Sequence, residues 1–447
     1  MRRVASPAWP NAALLAAAYL ILAPRSADLA AAVYRTQLFS DHPWALWNGA
    51  WYGGHHVLGY SLFFPPLAAL LGPRVVGALS SIAAVVLFER IARREFGRAR
   101  LGSLLFAVAA AANLFAQRLP FALGIALALG AVAAAQASKR WLALTLAAVT
   151  TLASPVAGVF LALAATGWGL ATVGRRRFAA QLALAALAPV GILAVAFPEG
   201  GSQPFPFSSF WPIIAVCAVA LVLFERKHRA LRWATVLYGL MAVGAYAVAS
   251  PMGGNAVRLG ALFGPPLLAA ALWPRRRAAL VLALVPLLYW QWTPVVRDLR
   301  AAAGDRSTHA SYYAPLLSFL RTAARADGPF RIEIPFTRNH WEAAYVARHN
   351  PIARGWERQL DVRYNHLFYR PRLTAARYGS WLRTNGIAYV ALPDSKLDFS
   401  AVAEARLLRA GIAGLRPAWS SPHWRVWKVV ASRPLASPSP LTTLGRE

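Results

Sequence analysis

The chain has 447 residues, of which 58% are hydrophobic and 14% charged, a balance too apolar for a soluble protein of this length. Its net charge of +30 comes from 47 basic and 17 acidic residues, but the arginines stand in short clusters between apolar runs and not along one face, which argues against nucleic acid as a partner. The single cysteine, Cys217, excludes an intrachain disulfide and, inside an apolar run, reads as a small buried hydrophobe.

Apolar runs of spanning length are expected at roughly 8–24, 67–88, 101–117, 119–136, 141–153, 155–173, 178–196, 209–224, 233–249, 259–273 and 278–293, about eleven transmembrane helices. The first follows Arg2 and Arg3 and is read as a retained helix in preference to a cleaved signal peptide, because many spans follow it. Tight turns at Arg118-Leu119-Pro120 and Ser154-Pro155 pair neighbouring runs.

Placing the amino terminus in the cytoplasm puts nineteen basic residues on the inner side, in clusters such as Arg90 to Arg100, Arg175 to Arg177 and Arg275 to Arg277. Within the membrane part, only five, Arg25, Arg35, Arg74, Arg118 and Arg258, then fall in the outer loops and span ends. The same parity places the outer loop 25–66 and everything after residue 293 outside the cytoplasm. The outward acidic residues of the membrane part are then Asp28, Asp41 and Glu199.

After residue 293 the pattern changes. Tyr312 to Ala326 reads as an amphipathic helix, Phe330 to Ile334 as a strand, Leu373 to Thr384 as a helix, and Ile387 to Leu392 and His423 to Val430 as strands. The expected organisation is a membrane domain over 1–293, an extracytoplasmic α/β domain over 294–431, and a loose Pro- and Ser-rich end over 432–447.

The candidate chemistry lies mostly in the outer loop. Asp28 stands just past the first span, where a partly desolvated carboxylate can accept a proton from a hydroxyl; a solvated loop aspartate is the bland alternative. Trp47, Asn48, Trp51 and Tyr52 are stacking and hydrogen-bonding candidates for a sugar, against the ordinary enrichment of aromatic residues at membrane interfaces. His55 and His56 are adjacent and lack a carboxylate at ligand spacing, so substrate contact or loop packing fits them and a metal site does not. Arg258, after paired glycines and Asn255, is the leading cation for a phosphate, with Arg118 and then Arg74 behind it; snorkelling to headgroups is the alternative for each. In the tail, His340, Glu342, Arg358 and Asp361 belong to the densest polar and aromatic stretch and are candidate acceptor contacts, with an ion-paired internal loop as the alternative. No glycine loop followed by lysine is present, which disfavours an ATP-driven pump.

Asp28, Tyr34, the run His42-Pro43-Trp44-Ala45-Leu46-Trp47-Asn48, Trp51-Tyr52-Gly53-Gly54 and Phe64-Pro65-Pro66 together resemble the first outer loop of the GT-C integral-membrane glycosyltransferases. The likeness is nearest to bacterial arabinofuranosyltransferase-like, YfhO-like and pyruvoyl-tetrahydropterin-synthase-related membrane proteins. It implies a GT-C-like helical arrangement in the bacterial cytoplasmic membrane, and an enzyme that moves a sugar from a polyprenyl-phosphate donor to an envelope glycan or glycolipid on the outer face. Asp28 would be the base that activates the acceptor hydroxyl. Many members carry a paired acidic motif, which this sequence lacks, so no metal ligand set and no cofactor is assigned. A non-catalytic lipid or glycan carrier, or a scaffold of envelope assembly, is the alternative that the missing pair supports.

Overall fold

The computed structural model describes residues 7–97 and 99–432. Arg2, Arg3 and the expected loose end, apart from Ser432, lie outside the described residues. The chain divides into two compact units. Unit 1 holds residues up to Leu46, His56–Ala303 and Arg358–Leu360; unit 2 holds Trp47–His55, Gly304–Glu357 and Asp361 onward.

Unit 1 is helical: α1 (Trp9–Leu22), α2 (Ala27–Asp41), α3 (Phe64–Leu71), α4 (Pro73–Phe96), α5 (Arg100–Phe115), α6 (Leu119–Gln136), α7 (Arg140–Ala153), α8 (Pro155–Ala171), α9 (Arg176–Ala196), α10 (Phe207–Leu223), α11 (Arg229–Ala247), α12 (Val257–Leu272) and α13 (Arg277–Ala302). Proline opens α4, α6 and α8, where its missing N–H has no intrahelical partner to lose and its fixed φ suits the first turn. Small residues let the helices approach closely. A Cβ on Gly102 of α5 would lie 2.7 Å from the Pro266 carbonyl of α12, so these two helices meet backbone to backbone there.

Among the described residues, five helical segments are long and apolar enough to cross a membrane: Pro73–Phe96, Leu119–Gln136, Val173–Ala196, Gly253–Leu272 and Arg277–Ala302. The chain is an integral membrane protein. A sixth span arises if α1 and α2, bent by 83° at their junction, act as one. Of the eleven expected spans, those on α5, α7, α8 and α10 are apolar helices of only 14 to 17 residues, and α11, with 19 residues, does not meet the length and hydropathy of a span. The outer stretch read as a loop also begins with the fifteen-residue helix α2.

Unit 2 is a small mixed α/β body. It contains α14 (Ala310–Asp327), the short α15 (Glu342–Tyr345), most of α16 (Arg358–Tyr364), α17 (Ala375–Thr384) and α18 (Val402–Ala410). Besides the two-residue strands β1 (Trp47–Asn48) and β2 (His55–His56), the strands β3 (Arg331–Glu333), β4 (Ile387–Pro393), β5 (Leu415–Ser420) and β6 (Trp424–Val429) form a sheet of order β3-β4-β6-β5. β3 runs parallel to β4, and β6 pairs antiparallel with β4 and β5. β4 is buried on both faces: Tyr389 meets Phe319 of α14, while Val390 and Leu392 share a core with Tyr378 and Leu382 of α17 and Ala405 and Leu408 of α18. The helices and strands expected after residue 310 match α14, β3, α17, β4 and β6 within a few residues.

Candidate functional site

Asp28 is placed by the corner between α1 and α2. The Arg74 guanidinium donates to the carbonyls of Ala23 (2.9 Å) and Pro24 (2.7 Å), satisfying acceptors that the end of α1 leaves open. The Gln117 amide also donates to Pro24 O (2.8 Å), and Tyr19 Oη donates to Gln117 Oε1 (2.6 Å). Arg74 is thereby a structural clamp. The same bonds tie the corner to the α5–α6 turn, where Gln117 sits at φ +60° and Arg118 follows it.

From that corner Asp28 enters the first turn of α2, a position where the positive end of the helix favours a carboxylate. The charges of Arg258 and Arg118 act on Asp28, and Asp298 acts on it as a like charge. All four side chains are half-buried. Among the described residues Asp28 makes no ion pair within 4.0 Å, so it faces its arginines without being closed onto them. Arg258 lies over the Phe121 ring at 5.4 Å and is within electrostatic reach of Tyr60, whose ring is capped by the Arg35 guanidinium at 3.6 Å. Asp28 and Arg35 are seven residues apart on α2 and so share a face.

Arg258 is held by the entry to α12. Gly253, at φ +32°, packs against the Gln203 carbonyl so closely that a Cβ would come within 2.0 Å of it. Tyr238 Oη donates to Ala256 O (2.9 Å) and accepts from Gly260 N (3.1 Å), which pins the first turn of the helix on either side of Arg258. Asn255 spends its amide on Pro251 O (3.1 Å) within the same turn. Beyond Arg258, residues Leu259, Gly260 and Phe263 line a cavity of about 250 Å³ whose other walls include Phe88, Phe160 and Val216.

Asp298 is the residue that sequence reasoning missed. It lies beyond the last expected span, 278–293, yet α13 runs through Pro294 to Ala302. The signal was available: Leu287, Gln291 and Val295 are buried at helical spacing, and Asp298 continues their stripe. Its Oδ1 also lies 3.3 Å from Nε of Arg297. Among the described residues no group of three or more His, Cys, Asp or Glu side chains converges in a metal-ligating arrangement.

The other expected site residues are elsewhere. His56 hydrogen-bonds Glu199 through both its backbone N–H and Nδ1, each at 2.6 Å. Trp47, Asn48, Trp51, Tyr52 and His55 belong to unit 2. There Trp51 is fully buried, stacks on His55 at 5.8 Å, packs on Gly355 and donates its indole N–H to Ala343 O (3.1 Å). Tyr52 Oη donates to Gly355 O (2.6 Å) and accepts from Glu357 N (2.9 Å). Asn48 is buried and its Oδ1 accepts from Ala50 N, whereas Trp47 stays 53% exposed.

His340, Glu342 and Asp361 are interior side chains of unit 2. His340 stacks on Trp356 at 3.6 Å, and Glu342 accepts from Thr337 Oγ1 (2.6 Å). Asp361 takes a two-pronged ion pair from Arg354 (3.1 and 2.7 Å), whose guanidinium is sandwiched between Phe336 and Phe368 at 3.9 and 4.0 Å. Glu333 and Glu404 are buried beside it. Burial pushes the Glu342 carboxyl up to about 8 and raises the neighbouring Glu404 and Glu333 pair as well. Arg358 is half-buried at the start of α16.

No family model matches the chain, and no curated protein matches it. Among solved structures it is similar to the cryo-EM structure of the arabinofuranosyltransferase AftD from mycobacteria, with a TM-score of 0.53 and 16% identity. That likeness covers 94% of this chain and 41% of the other, so the chain spans about two fifths of the protein it matches. At this identity the likeness is one of fold alone: a mostly helical membrane protein with a small carboxy-terminal mixed sheet.

Proposed function

We propose that the protein is a GT-C-like glycosyltransferase of the bacterial cytoplasmic membrane, transferring a sugar from a polyprenyl-phosphate donor to an envelope glycan or glycolipid on the outer face. The observation that carries this reading is the electrostatic grouping of Asp28, Arg258 and Arg118 in unit 1, with no ion pair within 4.0 Å closing the half-buried carboxylate onto either arginine. Asp28 takes the proton of the acceptor hydroxyl as that oxygen attacks the anomeric carbon, while the bond from the sugar to the lipid phosphate breaks. Arg258 and Arg118 stabilise the negative charge that grows on the departing phosphate, helped by the N-terminal turn of α12. Attack from the face opposite the leaving group inverts the anomeric centre.

The carbon-lined cavity beginning at Leu259, next to Arg258, suits the isoprenoid part of such a donor. Asp298 supplies a second carboxylate within electrostatic reach of Asp28, the one missing from the outer loop. His340, Glu342 and Asp361 are committed to interior partners of unit 2 and are left out of the acceptor contacts. The expected orientation follows the distribution of basic residues, with the amino terminus inside.

The test is transfer from a radiolabelled polyprenyl-phosphate sugar by the purified full chain in lipid nanodiscs. Asp28→Asn is expected to cut turnover by about 10² to 10⁴-fold. Full turnover by that variant would remove the assigned base.

A further inference from the structure

Between Asp361 and Asp394 the sequence has five arginines and one histidine and no acidic residue. The fold gathers part of this run around one small hollow of unit 2. His366, Arg370, Arg372 and Arg377, with Leu367 and Leu373, enclose a cavity of about 230 Å³. The four polar side chains are exposed, and no carboxylate lines the space. Arg370 Nε donates to His366 Nδ1 (3.3 Å), which orients one guanidinium and uses the neutral imidazole as acceptor. The ten-residue helix α17 starts at the rim, with Thr374 Oγ1 accepting from Arg377 N (3.4 Å), so the positive end of its dipole adds to the same field.

Three guanidinium groups around one hollow repel each other until an anion enters. Their forked donors match the oxygens of a phosphate better than a point charge would. We propose that this cavity binds the phosphate group of an anionic phospholipid. The two leucines give the glycerol end an apolar contact that a free ion would not use. The chain is an integral membrane protein, so its own backbone tethers unit 2 to a bilayer whose headgroups are present at high effective concentration.

The experiment uses the full chain in a neutral detergent and measures binding of short-chain phosphatidylglycerol, phosphatidylcholine and inorganic phosphate by native mass spectrometry and thermal shift. Phosphatidylglycerol is expected to bind at least tenfold more tightly than phosphatidylcholine, with the preference shrinking as salt rises. The exposed triple change R370Q/R372Q/R377Q is expected to lower phosphatidylglycerol affinity tenfold or more, and R372Q alone by a smaller factor. An unchanged affinity in the triple variant, checked to be folded by circular dichroism, would overturn the site. Inorganic phosphate stabilising the wild type as strongly as phosphatidylglycerol would assign the cavity to a soluble anion and overturn the lipid.

Discussion

The two units both bring carboxylates and arginines together, and they do so to opposite ends. In unit 2 Arg354 is closed onto Asp361 by two hydrogen bonds, bonded to Ser400 and covered by two rings, with almost no solvent exposure. In unit 1 Asp28 faces Arg258 and Arg118 without an ion pair within 4.0 Å, and all three are half-buried. A closed network holds a fold; an open one leaves hydrogen-bonding capacity for something that arrives later. Charge composition alone does not separate the two cases, whereas pairing geometry does.

Substitutions ought to break this contrast in a graded way. The largest effect is expected for Arg354→Ala, which strands Asp361 in the interior and costs about 3 to 5 kcal/mol; thermal denaturation followed by tryptophan fluorescence reads it. Arg258→Gln is expected to leave that transition in place while lowering sugar transfer by about 10² to 10³-fold. An Arg258→Gln protein that unfolds as readily as Arg354→Ala would show that the open site is structural too.

Glu342 sharpens the comparison through pH. Its carboxyl moves from an ordinary value of 4.5 to about 8 on folding. The unfolded state therefore releases this proton first: the stabilisation is complete below pH 4.5 and fades as pH rises through about 8. Glu342→Gln is expected to flatten that part of the melting-temperature profile of unit 2, and an unaltered slope would point to another group. The smallest effect belongs to Asp298→Asn, which removes a like charge near Asp28; the same sugar-transfer assay should show turnover changed only a few-fold.

Much of unit 2 was legible because its elements carry clean periods: alternation in Trp424–Val429 and an amphipathic stripe in Ala310–Asp327. Asp28, Arg118 and Arg258 were legible through charge parity, since few charged residues remain on the outer side once the basic clusters are placed. The aromatic segment was less so. A run such as Trp47 to His55 looks like a sugar platform, but a tryptophan buries 150 to 250 Å² when it packs, and Trp51 finds that burial in its own protein. Asp298 was hidden by a proline that a helix of this length accommodates.

The hydrogen bond from Trp51 to Ala343 joins positions 292 residues apart. Unit 2 is thus discontinuous in sequence, and a nine-residue strip made early in synthesis waits for most of the chain before its indole is covered. A fragment starting at Gly304 would lack that strip and leave the groove at Gly355 unfilled. Assembly of this unit is therefore a late, long-range event on the pathway, and expression of the carboxy-terminal part alone would need residues 47–55 supplied in trans.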